Sequence, residues 1–101
     1  MYTGARDAKG NSCIKFGASG KAGSFTLTVG DNVTKVVIYV AQYKSNTTKI
    51  TVNGTSYTIT TASDDGVYTA IEVDTSSTKT ITFTTVSGGY RCMVNTIEFW
   101  G

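Results

Sequence analysis

A short stretch in the middle of the chain, residues 49–59, constrains the fold more than any other feature. Two segments in which apolar and polar residues alternate flank the pair Asn53 and Gly54. Asn-Gly is the favoured pair for a two-residue type I′ turn, because both residues accept positive φ angles. Such a turn predicts the cross-strand pairs Val52–Thr55, Ile50–Tyr57 and Thr48–Ile59. The apolar side chains of both segments then share one face, so turn chemistry and hydrophobic pattern both predict a β-hairpin.

Apolar and polar residues alternate on both sides of this hairpin, and turn signals recur roughly every 8–12 residues. The pattern predicts strands at residues 13–16, 25–29, 33–43, 49–52, 55–59, 69–73, around 81–83 and at 90–100. We expect Val36, Ile38 and Val40 to face the core. For the last strand we expect an inward set of Met93, Asn95, Ile97 and Phe99. No segment shows helical periodicity, so the sequence predicts an all-β, two-sheet antiparallel β-sandwich with about eight strands.

Within that class, a jelly roll fits better than an immunoglobulin-like domain. The immunoglobulin fold places a Trp between its two cysteines, whereas here Trp100 follows Cys92. In a jelly roll the first and last strands are neighbours in one sheet. At this length we expect a single sandwich domain over residues 13–101, preceded by a loosely ordered polar segment, residues 1–12.

Composition excludes several functional classes. The chain has no His, which removes Ser-His and Cys-His nucleophilic pairs and most zinc sites. A net charge of +2 does not favour a nucleic-acid partner. The longest apolar run, residues 36–41, is too short to span a membrane, and the N-terminus lacks the apolar core of a signal peptide.

The two cysteines admit two interpretations. If Ile14 and Phe16 face the core, and the last strand has the inward set above, Cys13 and Cys92 both face outward on paired strands. They would then form a disulfide that closes almost the whole domain, which implies an oxidising compartment. Alternatively, they are two thiols that pack as small hydrophobes.

The loops suggest where a ligand binds. In a sandwich of sequential antiparallel strands, the loops at 17–23, 43–47, 61–67 and 87–91 lie at one end, which we call the loop end. In or beside them lie the candidate ligand-binding residues: Tyr43, Asn46, Asp64, Asp65, Tyr68, Tyr90 and Arg91. The loops at the opposite end contain no aromatic residue. Aromatic rings can stack on a sugar, and polar groups can bind its hydroxyls. The loop end contains both, so we predict a saccharide site there.

Each of these features also has a purely structural interpretation. Tyr43 and Tyr90 can cap the end of the core with their hydroxyls in solvent. The stripe Val37, Tyr39, Ala41 and Tyr43 can form a glycan platform on a sheet face, or it can be covered by another part of the chain.

The acidic residues give a weaker signal. Asp64, Asp65 and Gly66 can bind structural calcium or form a solvated turn, and we expect no other cofactor. Glu72 and Glu98 fall on outer strand faces, so we expect no catalytic carboxylate pair and no enzymatic activity.

Several segments carry a resemblance to a known group of domains: Lys-Phe-Gly (15–17), Gly-Ser-Phe-Thr-Leu-Thr-Val (23–29), Val-Thr-Lys-Val-Val-Ile-Tyr (33–39), Thr-Val-Asn-Gly-Thr-Ser-Tyr-Thr-Ile (51–59), Ile-Thr-Phe-Thr-Thr-Val-Ser-Gly-Gly-Tyr-Arg (81–91) and Val-Asn-Thr-Ile-Glu-Phe (94–99). Over about 85% of its length, the chain resembles small β-sandwich accessory domains appended to secreted enzymes of gut bacteria. It is also similar to jelly-roll carbohydrate-binding modules, whose last strand has the form Asn/Asp-x-Ile-x-aromatic, matched by Asn95, Ile97 and Phe99.

The resemblance implies a secreted, extracellular, non-catalytic module that binds a polysaccharide or oligosaccharide. It also implies a bacterial parent protein with a catalytic domain. We expect a monomer, with neither nucleic acid nor membrane as partner. Of the candidate site residues, Tyr43, Tyr90 and Arg91 correspond to sugar sites of the family. The departures are Cys92, where a small residue is expected, and the lack of a second Trp. The alternative function is an extracellular protein-interaction, adhesion or assembly domain.

Overall fold

The computed structural model describes residues 2–6, 9–10, 12–17, 20–44 and 46–101. These residues form one 3₁₀ turn, Ser63–Asp65, and nine strands: β1 (Tyr2–Arg6), β2 (Ser12–Phe16), β3 (Ser24–Thr28), β4 (Lys35–Gln42), β5 (Thr48–Val52), β6 (Thr55–Ile59), β7 (Thr69–Asp74), β8 (Thr80–Thr85) and β9 (Cys92–Trp100). Within these ranges, no helix has the length and apolar character needed to cross a bilayer.

The strands from β2 to β9 pair as nested antiparallel couples. β2 pairs with β9, β3 with β8, β4 with β7, and β5 with β6. Two sheets result, with the strand orders β1-β2-β9-β4-β7 and β3-β8-β5-β6. This wrapping of eight strands is a jelly roll. The predicted all-β, two-sheet antiparallel sandwich is therefore confirmed, and the first and last predicted strands are indeed neighbours.

The core lies between the two sheets. Val36, Ile38 and Val40 of β4 are completely buried, as their alternation predicts, and they share one apolar cluster with Ile81 and Phe83 of β8. Each side chain of this size contributes about 1.5–3 kcal/mol to folding when it leaves water. This packing makes the sandwich a rigid support for the loops at its ends.

The hairpin has the register that the sequence predicts. Ile50 pairs with Tyr57, and Thr48 with Ile59. Asn53 and Gly54 have φ angles of 49° and 84°, as a type I′ turn requires. The turn residues therefore fix which face of β5 enters the core.

β9 departs from the predicted alternation. Its pairing with β4 skips Asn95, which is an extra residue in the strand and forms a β-bulge. A bulge reverses the order of inward and outward side chains. Before the bulge, Cys92 and Val94 therefore face the core, and after the bulge Ile97 packs against the core. Met93 belongs to a cluster on the other side of the sheet. The predicted inward set is right for Ile97 and wrong for Met93.

The N-terminal segment contributes a strand that the sequence pattern does not predict. β1 lies at the edge of the five-stranded sheet and pairs antiparallel with β2. Its residues, Tyr-Thr-Gly-Ala-Arg, show no run of alternating apolar side chains. Pairing of the backbone with β2 produces this strand without the hydrophobic pattern that marks the others.

Candidate functional site

Backbone contacts bring the four loops of the loop end together. Gly17 lies so close to Tyr90 that a Cβ on Gly17 would stand 1.8 Å from the Tyr90 carbonyl oxygen. The Lys44 backbone N–H donates a hydrogen bond of 2.8 Å to Ser63 Oγ. The Lys49 N–H donates one of 3.1 Å to the Gly89 carbonyl. The first two contacts join the loops in pairs, and the third connects the 87–91 loop to β5, the strand that follows the 43–47 loop.

An open depression of about 430 Å³ lies at the loop end. Its lining is formed by Gly20, Asn46, Thr47, Gly88, Gly89, Tyr90 and Arg91. Three of the seven predicted site residues, Asn46, Tyr90 and Arg91, thus share one depression. The other four predicted residues are not part of its lining.

Gly89 sets the position of Tyr90 and Arg91. A Cβ on this residue would lie 2.2 Å from the Lys49 backbone nitrogen, so only glycine allows the turn to approach β5. The backbone of Arg91 is fixed as well, because its carbonyl accepts a hydrogen bond of 2.5 Å from Thr48 Oγ1. The two site residues therefore project from a turn that is held against the sheet at both ends.

Arg91 has no internal partner at its Nε. That atom is buried and makes no hydrogen bond to any described residue. Its guanidinium carbon lies 5.8 Å from the centre of the Tyr43 ring. Arg91 thus lies between the depression and Tyr43, with hydrogen-bonding capacity left unused.

Positive side chains surround the Tyr43 ring. Besides Arg91, the Lys15 Nζ lies 4.2 Å from the ring centre and the Lys44 Nζ lies 5.6 Å from it. The ring also packs against the cluster formed by Cys13 and Met93. Cation–π contacts and this packing hold the Tyr43 ring beside the depression.

The remaining loop-end candidates lie elsewhere. The Tyr68 hydroxyl is 3.2 Å from Cys13 Sγ, and its ring packs with the same cluster as Tyr43. Asp64 and Asp65 are exposed in the 3₁₀ turn, which Gly66 ends with a φ of 64°. No group of three or more His, Cys, Asp or Glu side chains within the described ranges is arranged to hold a metal ion. Of the three predicted tyrosines, Tyr90 alone is part of the lining of this depression.

The two cysteines lie on opposite faces of the five-stranded sheet. Cys92 pairs with Phe16 and belongs to the sandwich core, whereas Cys13 belongs to the cluster on the outer face, the face turned away from the core. The prediction that both side chains face outward is therefore wrong, because the bulge at Asn95 shifts the alternation. The structure has both residues as thiols, and such a geometry does not allow a disulfide without backbone movement. Burial raises the pKa of the Cys92 thiol to about 12.

The outer-face stripe on β4 is not an open aromatic platform. Val37 and Ala41 are buried. The Tyr39 hydroxyl donates a hydrogen bond of 2.9 Å to Glu98 Oε1. This bond, together with partial burial and the charges of Glu98 and Glu72, raises the pKa of Tyr39. Tyr39 is therefore engaged within the sheet face.

One feature at the opposite end escaped the sequence analysis. Trp100 pairs with Lys35 at the start of β4, and 51% of its surface is exposed. The Lys35 Nζ lies 4.7 Å from the Trp100 ring centre and 3.3 Å from Glu72 Oε1. Asp74 and Ser76 line a depression of about 490 Å³ at this end together with Thr34, Lys35 and Glu72. The loops there lack aromatic residues, but the antiparallel pairing of β9 with β4 brings Trp100 to this end.

Comparisons with known proteins give no match: no protein-family model, no curated protein and no solved structure matches this chain. Functional inference therefore depends on the geometry of the surface.

Proposed function

We propose that this protein is a non-catalytic, extracellular carbohydrate-binding module that holds a saccharide in the loop-end depression. One observation carries the proposal: Asn46, Tyr90 and Arg91 line a single open depression on a rigid jelly roll. A volume of about 430 Å³ falls within the range of small-ligand sites.

Each of the three residues has a suitable chemical role. The partly exposed Tyr90 supplies an aromatic face for the C–H face of a sugar ring. Arg91 supplies N–H donors, and Asn46 supplies an amide. The Asn46 Nδ2 donates a hydrogen bond of 2.9 Å to the Tyr43 carbonyl, while its amide oxygen accepts none from the described residues. With so few contacts, the expected dissociation constants are roughly micromolar to millimolar.

Tyr43, Tyr68, Asp64 and Asp65 have supporting roles in this proposal. Tyr43 holds Arg91 through its ring and Asn46 through its carbonyl. Tyr68 anchors the neighbouring surface on Cys13. The two aspartates are exposed and lie outside the lining, so they can meet only the outer part of a longer saccharide.

The proposal is for binding without catalysis. None of the residues that line the depression carries a carboxylate. Glycoside hydrolysis by two carboxylates needs them about 5–10 Å apart across the bond that is cut. We further propose attachment to a secreted bacterial enzyme, which would be tested by the neighbouring sequence in the parent protein.

A protein-interaction domain has less support from the geometry. The outer face near Tyr39 and Tyr43 is occupied by Glu98 and Lys15, so it is not an apolar patch. Concentration-dependent self-association in sedimentation experiments would favour that alternative.

Calorimetric titration against a panel of soluble oligosaccharides and polysaccharides tests the proposal with two aromatic substitutions. Tyr90→Ala is expected to weaken the binding of any ligand by about tenfold or more, because it removes the stacking face. Trp100→Ala is the matched control, since it removes an exposed aromatic ring from the opposite end.

Three results would count against the proposal. If no saccharide binds the wild-type protein, the function is wrong. If Trp100→Ala abolishes binding and Tyr90→Ala does not, the site is at the other end. Equal losses in both variants, with native circular dichroism spectra, would also argue against a single loop-end site.

A further inference from the structure

We infer that the loop-end depression selects an acidic saccharide, one that bears a carboxylate or a sulfate group. This inference rests on the proposed function. The low net charge of the chain leads to the opposite expectation, a neutral ligand. The distribution of the charges in three dimensions decides between the two.

Four cations lie on or near the loop-end surface, and one of them, Arg91, lines the depression. Lys15, Lys44 and Arg91 surround the Tyr43 ring at 4.2–5.8 Å from its centre. Lys49 is the fourth, since its Nζ would be 3.5 Å from a Cβ placed on Gly88, a residue of the lining. Among the described residues, none of these four side chains forms an ion pair.

The carboxylates are distributed differently. Glu72 pairs with Lys35 at 3.3 Å, and Glu98 accepts the hydrogen bond from Tyr39 on the outer face. Asp31 lies in a turn at the opposite end, and Asp74 is the last residue of β7 at that end. Of the described carboxylates, only Asp64 and Asp65 lie at the loop end, and they are exposed and outside the lining. Of the described groups, the cations therefore dominate the potential at the depression.

Arg91 adds a specific hydrogen-bond donor to this potential. Its planar guanidinium can donate two parallel hydrogen bonds to a carboxylate or a sulfate, which a hydroxyl cannot match. Among the described residues, no acceptor forms a hydrogen bond with the buried Nε. Leaving a buried N–H unsatisfied is unfavourable, so an anionic ligand that reorients Arg91 gains from the bond it supplies.

The charge itself is tested with matched ligands. We would titrate the protein with an oligogalacturonate and with its methyl ester, which lacks the carboxylate charge and carries an added methyl group on each esterified carboxyl. A sulfated oligosaccharide and its desulfated form make the second pair, and the two pairs distinguish carboxylate from sulfate as the preferred group. The charged member of at least one pair is expected to bind about tenfold more tightly. Its affinity should fall as NaCl rises from about 50 mM to about 500 mM, because salt screens the cations.

Matched variants test the site. Arg91→Gln should abolish the preference for the charged ligand, and it leaves the backbone contact between Thr48 and the Arg91 carbonyl intact. Lys44→Gln removes one exposed charge and should reduce the preference several-fold, with circular dichroism as the check on folding. Lys35→Gln removes the same charge from the opposite end and should leave the preference unchanged.

The outcomes separate the two proposals. If charged and uncharged ligands bind equally, the inference of acidic selectivity is overturned and the saccharide-binding function stands. If Lys35→Gln reduces the preference as much as Arg91→Gln, the effect is general electrostatics and the inference also fails. If no saccharide of either kind binds, the proposed function itself is wrong.

Discussion

Replacing Gly89 by Ala tests how the sandwich positions the candidate site. The added Cβ would lie 2.2 Å from the Lys49 nitrogen and 2.8 Å from the Thr48 carbonyl carbon, both backbone atoms that cannot swing away. The turn must therefore lift off β5, which breaks the 3.1 Å hydrogen bond from Lys49 to the Gly89 carbonyl. Losing this bond costs about 1 kcal/mol. Forcing the extra methyl group into the contact costs about 1–3 kcal/mol more.

We therefore expect Gly89→Ala to lower the free energy of unfolding by about 2–4 kcal/mol and the melting temperature by roughly 10–25 °C. Gly54→Ala is the matched control, because Gly54 has a φ of 84° but open space around its Cβ position. A left-handed conformation alone costs about 1–2 kcal/mol. Urea unfolding followed by circular dichroism measures both variants. If Gly89→Ala is no less stable than Gly54→Ala, the close approach of this turn to β5 is not what holds Tyr90 and Arg91.

Two further predictions concern ionisable groups. The raised pKa of Cys92, about 12 against 9.0, favours its protonated form in the folded state. Above pH 9.0 the unfolded chain loses this proton before the folded chain does. The free energy of unfolding should therefore fall as the pH rises, and its slope should be steeper than that of Cys92→Ala by up to about 1.4 kcal/mol per pH unit. Urea unfolding between pH 8 and 10.5 measures the slopes, and equal slopes would contradict the burial of the thiol. Asp74 accepts hydrogen bonds from the Ser76 hydroxyl at 2.6 Å and the Ser76 N–H at 2.8 Å, and these bonds lower its pKa. The carboxyl should therefore titrate by NMR below its ordinary value of 3.8, and its stabilising effect should be lost as the pH falls through that lowered pKa. Ser76→Ala should move the pKa back towards 3.8, and an unchanged pKa would show that the hydroxyl is not its cause.

Local chemistry made much of the fold predictable. The Asn53-Gly54 turn fixed the register of β5 and β6, because a two-residue loop leaves no freedom in pairing. Once the hairpin is set, nesting the remaining strands around it gives the jelly roll. The alternation of Val36, Ile38 and Val40 identified the core face of β4 directly.

The errors have physical causes that a single sequence does not display. Nothing in the residue types around Asn95 marks a bulge, yet that one extra residue turned Cys92 inward and Met93 outward. β1 depends on backbone pairing with β2, so side-chain periodicity could not predict it. Tyr68 precedes β7 by one residue, but its ring lies on the outer face with Cys13.

The candidate site was predictable to the extent that topology determines it. Assigning alternate loops to one end brought Asn46, Tyr90 and Arg91 together, and they do line one depression. The same reasoning could have found Trp100, because the antiparallel pairing of the last strand brings its end beside the start of β4. The cluster of cations was not predictable, since Lys15, Lys44, Lys49 and Arg91 are far apart in sequence and meet only in the folded chain.

The location of the binding site can be measured most directly by following backbone amide NMR signals while a binding saccharide is added. If the ligand occupies the loop-end depression, the largest saturable shifts will belong to Asn46, Thr47, Tyr90 and Arg91, and the signals of Lys35 and Trp100 will stay unchanged. Saturable shifts centred on Lys35 and Trp100, with Tyr90 and Arg91 unaffected, would contradict a binding site at the loop end.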